Sequence, residues 1–293
     1  MKFFLLAACS LLLVVSASAK KNQKIDGFVF VPSGTYSIAE KTISINALFV
    51  ATHEVTNGEY LNFLADLKKE NRQDDLRNAL PDTMAWLTIG GYNEPMANMY
   101  FWHPAFADYP VVNISPEGVN LYCEWLTEKM IEKYGQENIS RFRLPTSAEW
   151  IYAAKGDEPS ALYSCGHSLR NSKGEVMVNF KVIGDEFITT ADSVPTVLTN
   201  YLPNSYQDGS YYTAPSMSYL PNPFGLYQMS GNVAELVYQS TNPTKKENEL
   251  FAAGGHWNST GYDIRITSNI PFSKPNPFVG FRPVMTYVVP SEN

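Results

Sequence analysis

The side chains that could act as nucleophile, base or metal ligand are few and scattered. The chain has three cysteines and four histidines in 293 residues. Cys9, Cys123 and Cys165 are far apart, and no cysteine follows position 165. Three cysteines make no disulfide framework. His53, His103, His167 and His256 sit in separate stretches, and a lone His needs partners before it holds a metal. His53-Glu54 is not followed by a second His at the spacing a zinc protease uses, so that chemistry is excluded. Neither Ser230 nor Ser259 lies in a G-x-S-x-G turn, so a hydrolase elbow is excluded as well. What stands out is Gly254-Gly255-His256-Trp257-Asn258-Ser259, a glycine-led run that carries a His and a Ser.

The elements that must position such a run can be read in outline. Residues 27–36 carry apolar residues, Phe28 to Val31, that stop at Pro-Ser-Gly, which predicts a strand and a turn; residues 42–50 predict a second strand. Over 56–69, Thr56 is placed to cap a helix whose Tyr60, Phe63, Leu64 and Leu67 fall at helical spacing. Over 115–133, Ser115 caps, Pro116 suits the first helical position, and Val119, Tyr122, Cys123 and Leu126 form a buried stripe. A third short helix is predicted over 146–155, capped by Thr146 or Ser147. Residues 155–224 carry few periodic runs, which predicts long functional loops or loops ordered by ions. Short strands are predicted near 251–257 and 280–289. Residues 73–108 look like an insertion rich in aromatics and proline.

Composition narrows the classes. Sixteen Phe, 18 Tyr, 19 Pro and 18 Gly suit loops pinned by aromatic packing and argue against a helical bundle. A net charge of −7 without a Lys/Arg cluster lacks the footprint of a nucleic-acid binder. Residues 1–19 read as a signal peptide: Lys2, an apolar run from 3 to 15, and Ala17-Ser18-Ala19 as the cleavage site. The rival is lipidation at Cys9, after Leu6-Ala7-Ala8. Residues 20–293 are then one domain, with no later run long enough to span a bilayer. The expected location is the periplasm or cell envelope.

Several blocks occur in one order: FVFVPSGTY (28–36), ATHEVTNGEYLNFL (51–64), YPVVNISPEGVNLYCEWL (109–126), RFRLPTSAEWIYAAKG (141–156), FGLYQMSGNVAEL (224–236), GGHW (254–257) and GFRPV (280–284). Together they resemble the formylglycine-generating-enzyme, or sulfatase-modifying-factor, domain over nearly all of residues 20–293. The resemblance implies an α+β fold related to C-type lectins, with little regular structure and two structural calcium ions. A narrower resemblance joins 92–112, YNEPMANMYFWHPAFADYPVV, to the gliding-motility and type IX secretion lipoproteins of Bacteroidetes.

Catalytic members of the family oxidise a substrate cysteine with oxygen, using two cysteines after the G-G-S-W-type motif to hold copper. Soft thiolates are what Cu(I) requires. Ser259 stands at the first of those cysteines, and His256 at the family's serine. The family's G-N-x-W-E-W tryptophans fall at Ala234 and Leu236. The resemblance therefore implies a domain without oxidase activity, with no catalytic residues and no copper. Cys123 matches a cysteine that vertebrate-type enzymes bridge to one after G-F-R, where this chain has Pro283; Cys123 reads as a small buried hydrophobe, a Cys123–Cys165 bridge being the other option.

The calcium chemistry carries over position by position. The first family site implies Asn179, Phe180, Asp208 and Ser210. The second implies Gln228, Gly231, Val233 and Glu235, with Gln228 in place of the usual Asn. Calcium takes six to eight oxygens of this kind. The expectation is a non-catalytic scaffold or binding module that meets envelope partners, including secretion or gliding components, and no nucleic acid. Trp102 and Tyr100 in the aromatic insertion are the candidate docking residues, beside Trp86 and Tyr92; the alternative is that these aromatics cap the core. The rival functions are a divergent formylglycine-generating oxidase and a carbohydrate- or protein-binding lectin-like module.

Overall fold

Alternation along two central strands decides the architecture. The computed structural model describes residues 24–38, 41–182, 186–191, 194–199, 210–239 and 249–288; the signal segment, Cys9 and Asp208 lie outside them. In chain order the elements are β1 (Phe28–Val31), β2 (Gly34–Ile38), β3 (Lys41–Ile45), β4 (Leu48–Ala51), α1 (Asn57–Lys69), α2 (Gln73–Ala79), α3 (Glu94–Met99), α4 (Pro116–Tyr134), β5 (Phe142–Arg143) and α5 (Ser147–Lys155). There follow β6 (Glu186–Ala191), β7 (Val194–Thr199), β8 (Ala234–Tyr238), β9 (Leu250–Ala253), β10 (Asn269–Pro271), β11 (Val279–Gly280) and β12 (Val284–Thr286). One sheet has the order β1-β4-β12-β5, the other β10-β9-β8-β11; β2-β3 and β6-β7 are separate hairpins.

Strand β4 is buried along its whole length. Phe49 faces a core built on α1 and α4, with Tyr60, Phe63, Tyr122, Phe142 and Phe281. Leu48 and Val50 face the opposite core under α5, with Trp150, Leu226 and Val284. Period two makes one strand serve both layers. In β8, likewise, Leu236 joins the first core and Val237 the second. The result is an α+β fold.

The predicted caps form. Thr56 and Glu59 make a capping box at α1, and Thr146 and Glu149 repeat it at α5. Ser115 accepts from the Gly118 N–H at α4, which runs to Tyr134 before Gly135 at φ 88°. Glu149 also holds Arg143 through two bonds of 2.7 and 2.8 Å, tying α5 to β5.

The strands are shorter than the sequence runs predict. The run 27–36 divides at Pro32-Ser33 into β1 and β2, and the run 42–50 divides at Asn46-Ala47 into β3 and β4. The 251–257 strand ends at Ala253, because Gly254 turns the chain at φ 83°. The expected strand at 280–289 is two short pieces, β11 and β12. The aromatic insertion holds α2, α3 and two 3₁₀ turns, Thr83–Thr88 and Pro104–Phe106. Within the stretch read as loops, β6 and β7 form an antiparallel hairpin.

Candidate functional site

Three sequence blocks converge on one buried carboxylate. Glu235, on β8, receives Nε and Nη2 of Arg282 at 2.7 to 3.0 Å and the Trp150 indole N–H at 2.7 Å. Arg282 also donates from Nη1 to the carbonyl of Ala51 and from Nη2 to that of Tyr227. Both charged side chains are buried, yet both carboxylate oxygens and all three guanidinium nitrogens are bonded, which is the condition under which a buried ion pair is tolerated. The two carboxylate oxygens each face two donors.

Beside this junction lies a second polar network. Asn232 has φ 58° and is buried; its Oδ1 accepts from the N–H of Ala214, and its Nδ2 donates to Glu54 Oε1 at 3.0 Å and to the Ala214 carbonyl. Asn179 donates from Nδ2 to Tyr212 O and to Asn232 Oδ1. Gly231, at φ 77°, lies where a Cβ would fall 2.2 Å from the Asn179 carbonyl, so only glycine allows this approach. Burial pushes the Glu54 carboxyl up to about 8; the Arg282 charge opposes that rise and Glu235 adds to it.

The residues predicted to hold calcium fall on both sides of this network. Asn179 is buried within it, and Phe180 packs on the small core of Tyr163, Val178 and Ile264. Ser210 is half-buried, and Asp208 lies outside the described residues. In the second set, Gln228 has φ 53°, donates from Nε2 to Pro215 O at 2.6 Å, and keeps a buried Oε1 without a partner. Gly231 and Val233 are buried on the same turn. Glu235 is no surface group: Arg282 and Trp150 occupy its oxygens. Among the described residues no three His, Cys, Asp or Glu side chains gather as a metal site.

The cleft at the oxidase positions has a different character. His256, Ser259, Tyr262, Asp263 and Arg265 line a cavity of about 550 Å³. His256 packs its ring against Phe278 at 4.4 Å and accepts from the Asn258 N–H. Its own N–H donates to Ser259 Oγ, and the Ser259 N–H donates back to its carbonyl. Burial pulls the imidazole down to about 4, so it is neutral at neutral pH. Ser259 is buried and bonded inside this turn. Ala234 and Leu236, at the tryptophan positions, belong to the α1/α4 core. Cys123 lies in that core, its thiol pushed up to about 12 by burial, and Cys165 is half-buried; both are free thiols.

The aromatic insertion divides. Tyr92 is 80% exposed and Trp102 52%, whereas Trp86 and Tyr100 are each 1% exposed. Tyr100 is therefore not a docking residue. Its hydroxyl donates to Pro110 O at 2.6 Å and accepts from Thr213, and its ring packs on Trp86 and Phe106. The sequence gives both tyrosines the same local character; which one faces inward follows from how the short helices lie on Val112, Val233 and Trp257. Local spacing presents Glu54 only as a zinc-protease glutamate. Its partners come from positions 178 residues away, which no local spacing reveals.

Comparison with known proteins agrees with this geometry. The description "Sulfatase-modifying factor enzyme 1-like domain" matches residues 15–287. The chain is 28% identical over 193 residues to the serine/threonine-protein kinase pkn1 of Chlamydia pneumoniae, covering 66% of this chain and 23% of that protein. It is 26% identical over 217 residues to the formylglycine-generating enzyme of Bos taurus, covering 67% and 49%. The chain thus spans about half or less of those two relatives. It is 24% identical over 269 residues to the chaperone protein LppX of Paenibacillus barcinonensis, covering 88% of both. Among solved structures, CarF shares the fold with a TM-score of 0.56 at 18% identity, over 89% of this chain and 98% of that one.

Proposed function

The chain belongs to the sulfatase-modifying factor enzyme 1-like domain family, and on that premise we propose that it is an exported, non-catalytic member serving as a scaffold or binding module in the cell envelope. One observation carries the reading: the positions that do redox chemistry in the family are filled by groups that pack. Ser259 is bonded into the His256 turn, Ala234 and Leu236 are core residues, and no cysteine follows position 165. A serine hydroxyl is a hard, weakly acidic ligand and does not replace a thiolate at Cu(I). A domain decaying without use loses core and site together. This one has lost the site while the Trp150–Glu235–Arg282 junction is complete.

Similarity to LppX along nearly the full length of both chains supports a role in holding another protein, since that relative is named a chaperone. The similarity of 92–112 to gliding and type IX secretion lipoproteins makes that apparatus the first candidate context. Calcium at Asn179, Phe180, Asp208 and Ser210 orders the loops around the network. The surface offered to a partner carries Trp102, Tyr92 and Met84, all exposed, and aromatic and Met side chains are enriched where proteins meet. Affinity capture from envelope extracts, with the wild type and Trp102→Ala side by side, tests the proposal. The wild type should recover a specific partner that Trp102→Ala loses at an unchanged circular dichroism spectrum. Recovery of no partner by the wild type would contradict it.

A further inference from the structure

Among the described residues, four buried side-chain oxygens have no hydrogen-bond partner: Glu54 Oε2, Asn57 Oδ1, Ser216 Oγ and Gln228 Oε1. A buried polar atom is normally satisfied, so an orphan beside a cavity asks what completes it. Ser216 lines a pocket of about 360 Å³. Three segments meet there, held together by their main chains. The Asn57 N–H donates to the Tyr109 carbonyl and the Gly58 N–H to the Ala107 carbonyl, both at 2.8 Å. The Ser216 N–H donates to the Asp108 carbonyl at 2.8 Å, and the Ser218 N–H to the Pro215 carbonyl at 2.9 Å. The start of α1, the 107–109 stretch and the 215–218 turn thus present Glu59, Asp108 and Ser216 to one cavity.

The polar atoms around this cavity are mostly acceptors. Glu59 Oε2 takes the N–H and the hydroxyl of Thr56, while Oε1 makes no hydrogen bond and lies 4.0 Å from His53 Nε2. His53 donates from Nδ1 to the Glu54 carbonyl at 2.9 Å, so in the neutral ring Nε2 carries the lone pair. The Asp108 carboxylate is exposed and, among the described residues, has no ion pair. No lysine or arginine lines the pocket. A concave surface with two uncompensated carboxylates concentrates cations. Among the described residues no three His, Cys, Asp or Glu side chains stand close enough to hold a metal ion. That spacing suits an organic cation, whose several N–H donors reach separate acceptors and form the stronger, charge-assisted bonds. Met217, also exposed on the lining, offers an apolar surface to the methylene stem that such a cation carries.

We propose that this pocket binds a basic side chain, arginine or lysine, of a protein partner. Glu59 Oε1 and the Asp108 carboxylate receive its charged N–H groups, Ser216 Oγ accepts a further one, and Met217 packs on its stem. The inference rests on the binding-module reading only in making the partner a protein; the pocket itself is tested without that partner.

The test is an amide NMR titration of the full chain with acetyl-Gly-Arg-Gly-amide. The lysine peptide is run beside it, as is the citrulline peptide, which keeps the shape of arginine without its charge. The arginine or the lysine peptide should give saturable shifts around residues 53–59, 108 and 216–218 below about 10 mM, and the citrulline peptide should give none. Asp108→Asn, at an exposed side chain, and Glu59→Gln, which keeps a capping-box residue, should each weaken binding about fivefold. Guanidinium ion alone should bind more weakly than the peptide; equal affinity would overturn the assignment to a side chain. Citrulline binding as well as arginine would overturn the proposal. So would affinity unchanged by Asp108→Asn, or no saturable binding of either basic peptide. A protein that captures no envelope partner can still pass this titration, so the two readings fail separately.

Discussion

The junction of Trp150, Glu235 and Arg282 and the cleft around His256 and Ser259 lie in the same set of sequence blocks and have met different fates. In the junction both carboxylate oxygens and all three guanidinium nitrogens are bonded, and three blocks far apart in sequence close on one carboxylate. In the cleft the side chains turn inward on each other: Ser259 caps the His256 N–H, and the imidazole lies on Phe278. The difference teaches that what preserves this fold is separable from what reacts in it. A buried ion pair holds the layers together whether or not a thiolate stands in the neighbouring turn.

Substitutions should pull the two regions apart in magnitude. The largest effect is expected for Arg282→Met, which strands Glu235 without its cation; breaking one side of a buried pair costs about 3–5 kcal/mol. Denaturant unfolding measures it, and adding Glu235→Leu should restore part of the loss. Tyr100→Ala should cost nearly as much, about 3–5 kcal/mol, because it empties a buried aromatic site and removes a hydroxyl that donates to the Pro110 carbonyl. A loss below 1 kcal/mol would return Tyr100 to the surface.

The cleft should respond more weakly. The folded His256 titrates near 4, below its ordinary 6.5, so the unfolded chain takes up the proton first as pH falls. Its contribution is complete above about pH 6.5 and declines as pH drops toward 4. The stability difference between wild type and His256→Gln should change by up to about 3 kcal/mol across that window. A pH-independent difference would show that the imidazole is solvated. Ser259→Ala removes one hydrogen bond and should cost about 1 kcal/mol. Smallest of all is Trp102→Ala, within about 0.5 kcal/mol in stability, as for other exposed positions, although it should weaken partner capture.

Much of the fold was legible in the sequence because its signals are local. Thr56, Ser115 and Thr146 announce their helices, and the apolar spacing behind each announces the buried face. The helices of 73–99 are short and weakly marked: Arg72 is a poor cap type, and Asp82 and Asn93 make no side-chain cap in the fold. The β6–β7 hairpin could have been found from its β-branched runs, ITTA and VPTVLT, which flank Asp192-Ser193. The candidate site was legible only in part. The replacement of reactive residues can be read by position, since it depends on identity at one motif. The unmatched oxygens of Glu54 and Gln228 cannot, because they depend on residues brought from 214–216 and 232 by tertiary folding. Burial of Tyr100 against exposure of Trp102, two residues on, likewise depends on which side of a short helix meets Val112 and Trp257.

The central claim is that the scaffold persists without oxidase chemistry. Its most direct test is mass spectrometry of a peptide containing C-x-P-x-R after incubation with the purified protein, Cu(I) and oxygen. The cysteine should remain unconverted over many protein equivalents, because neither Ser259 nor any residue after position 165 offers a thiolate to the metal. Formation of formylglycine, at a rate that falls on Ser259→Ala or His256→Ala, would contradict the account and make the protein an oxidase.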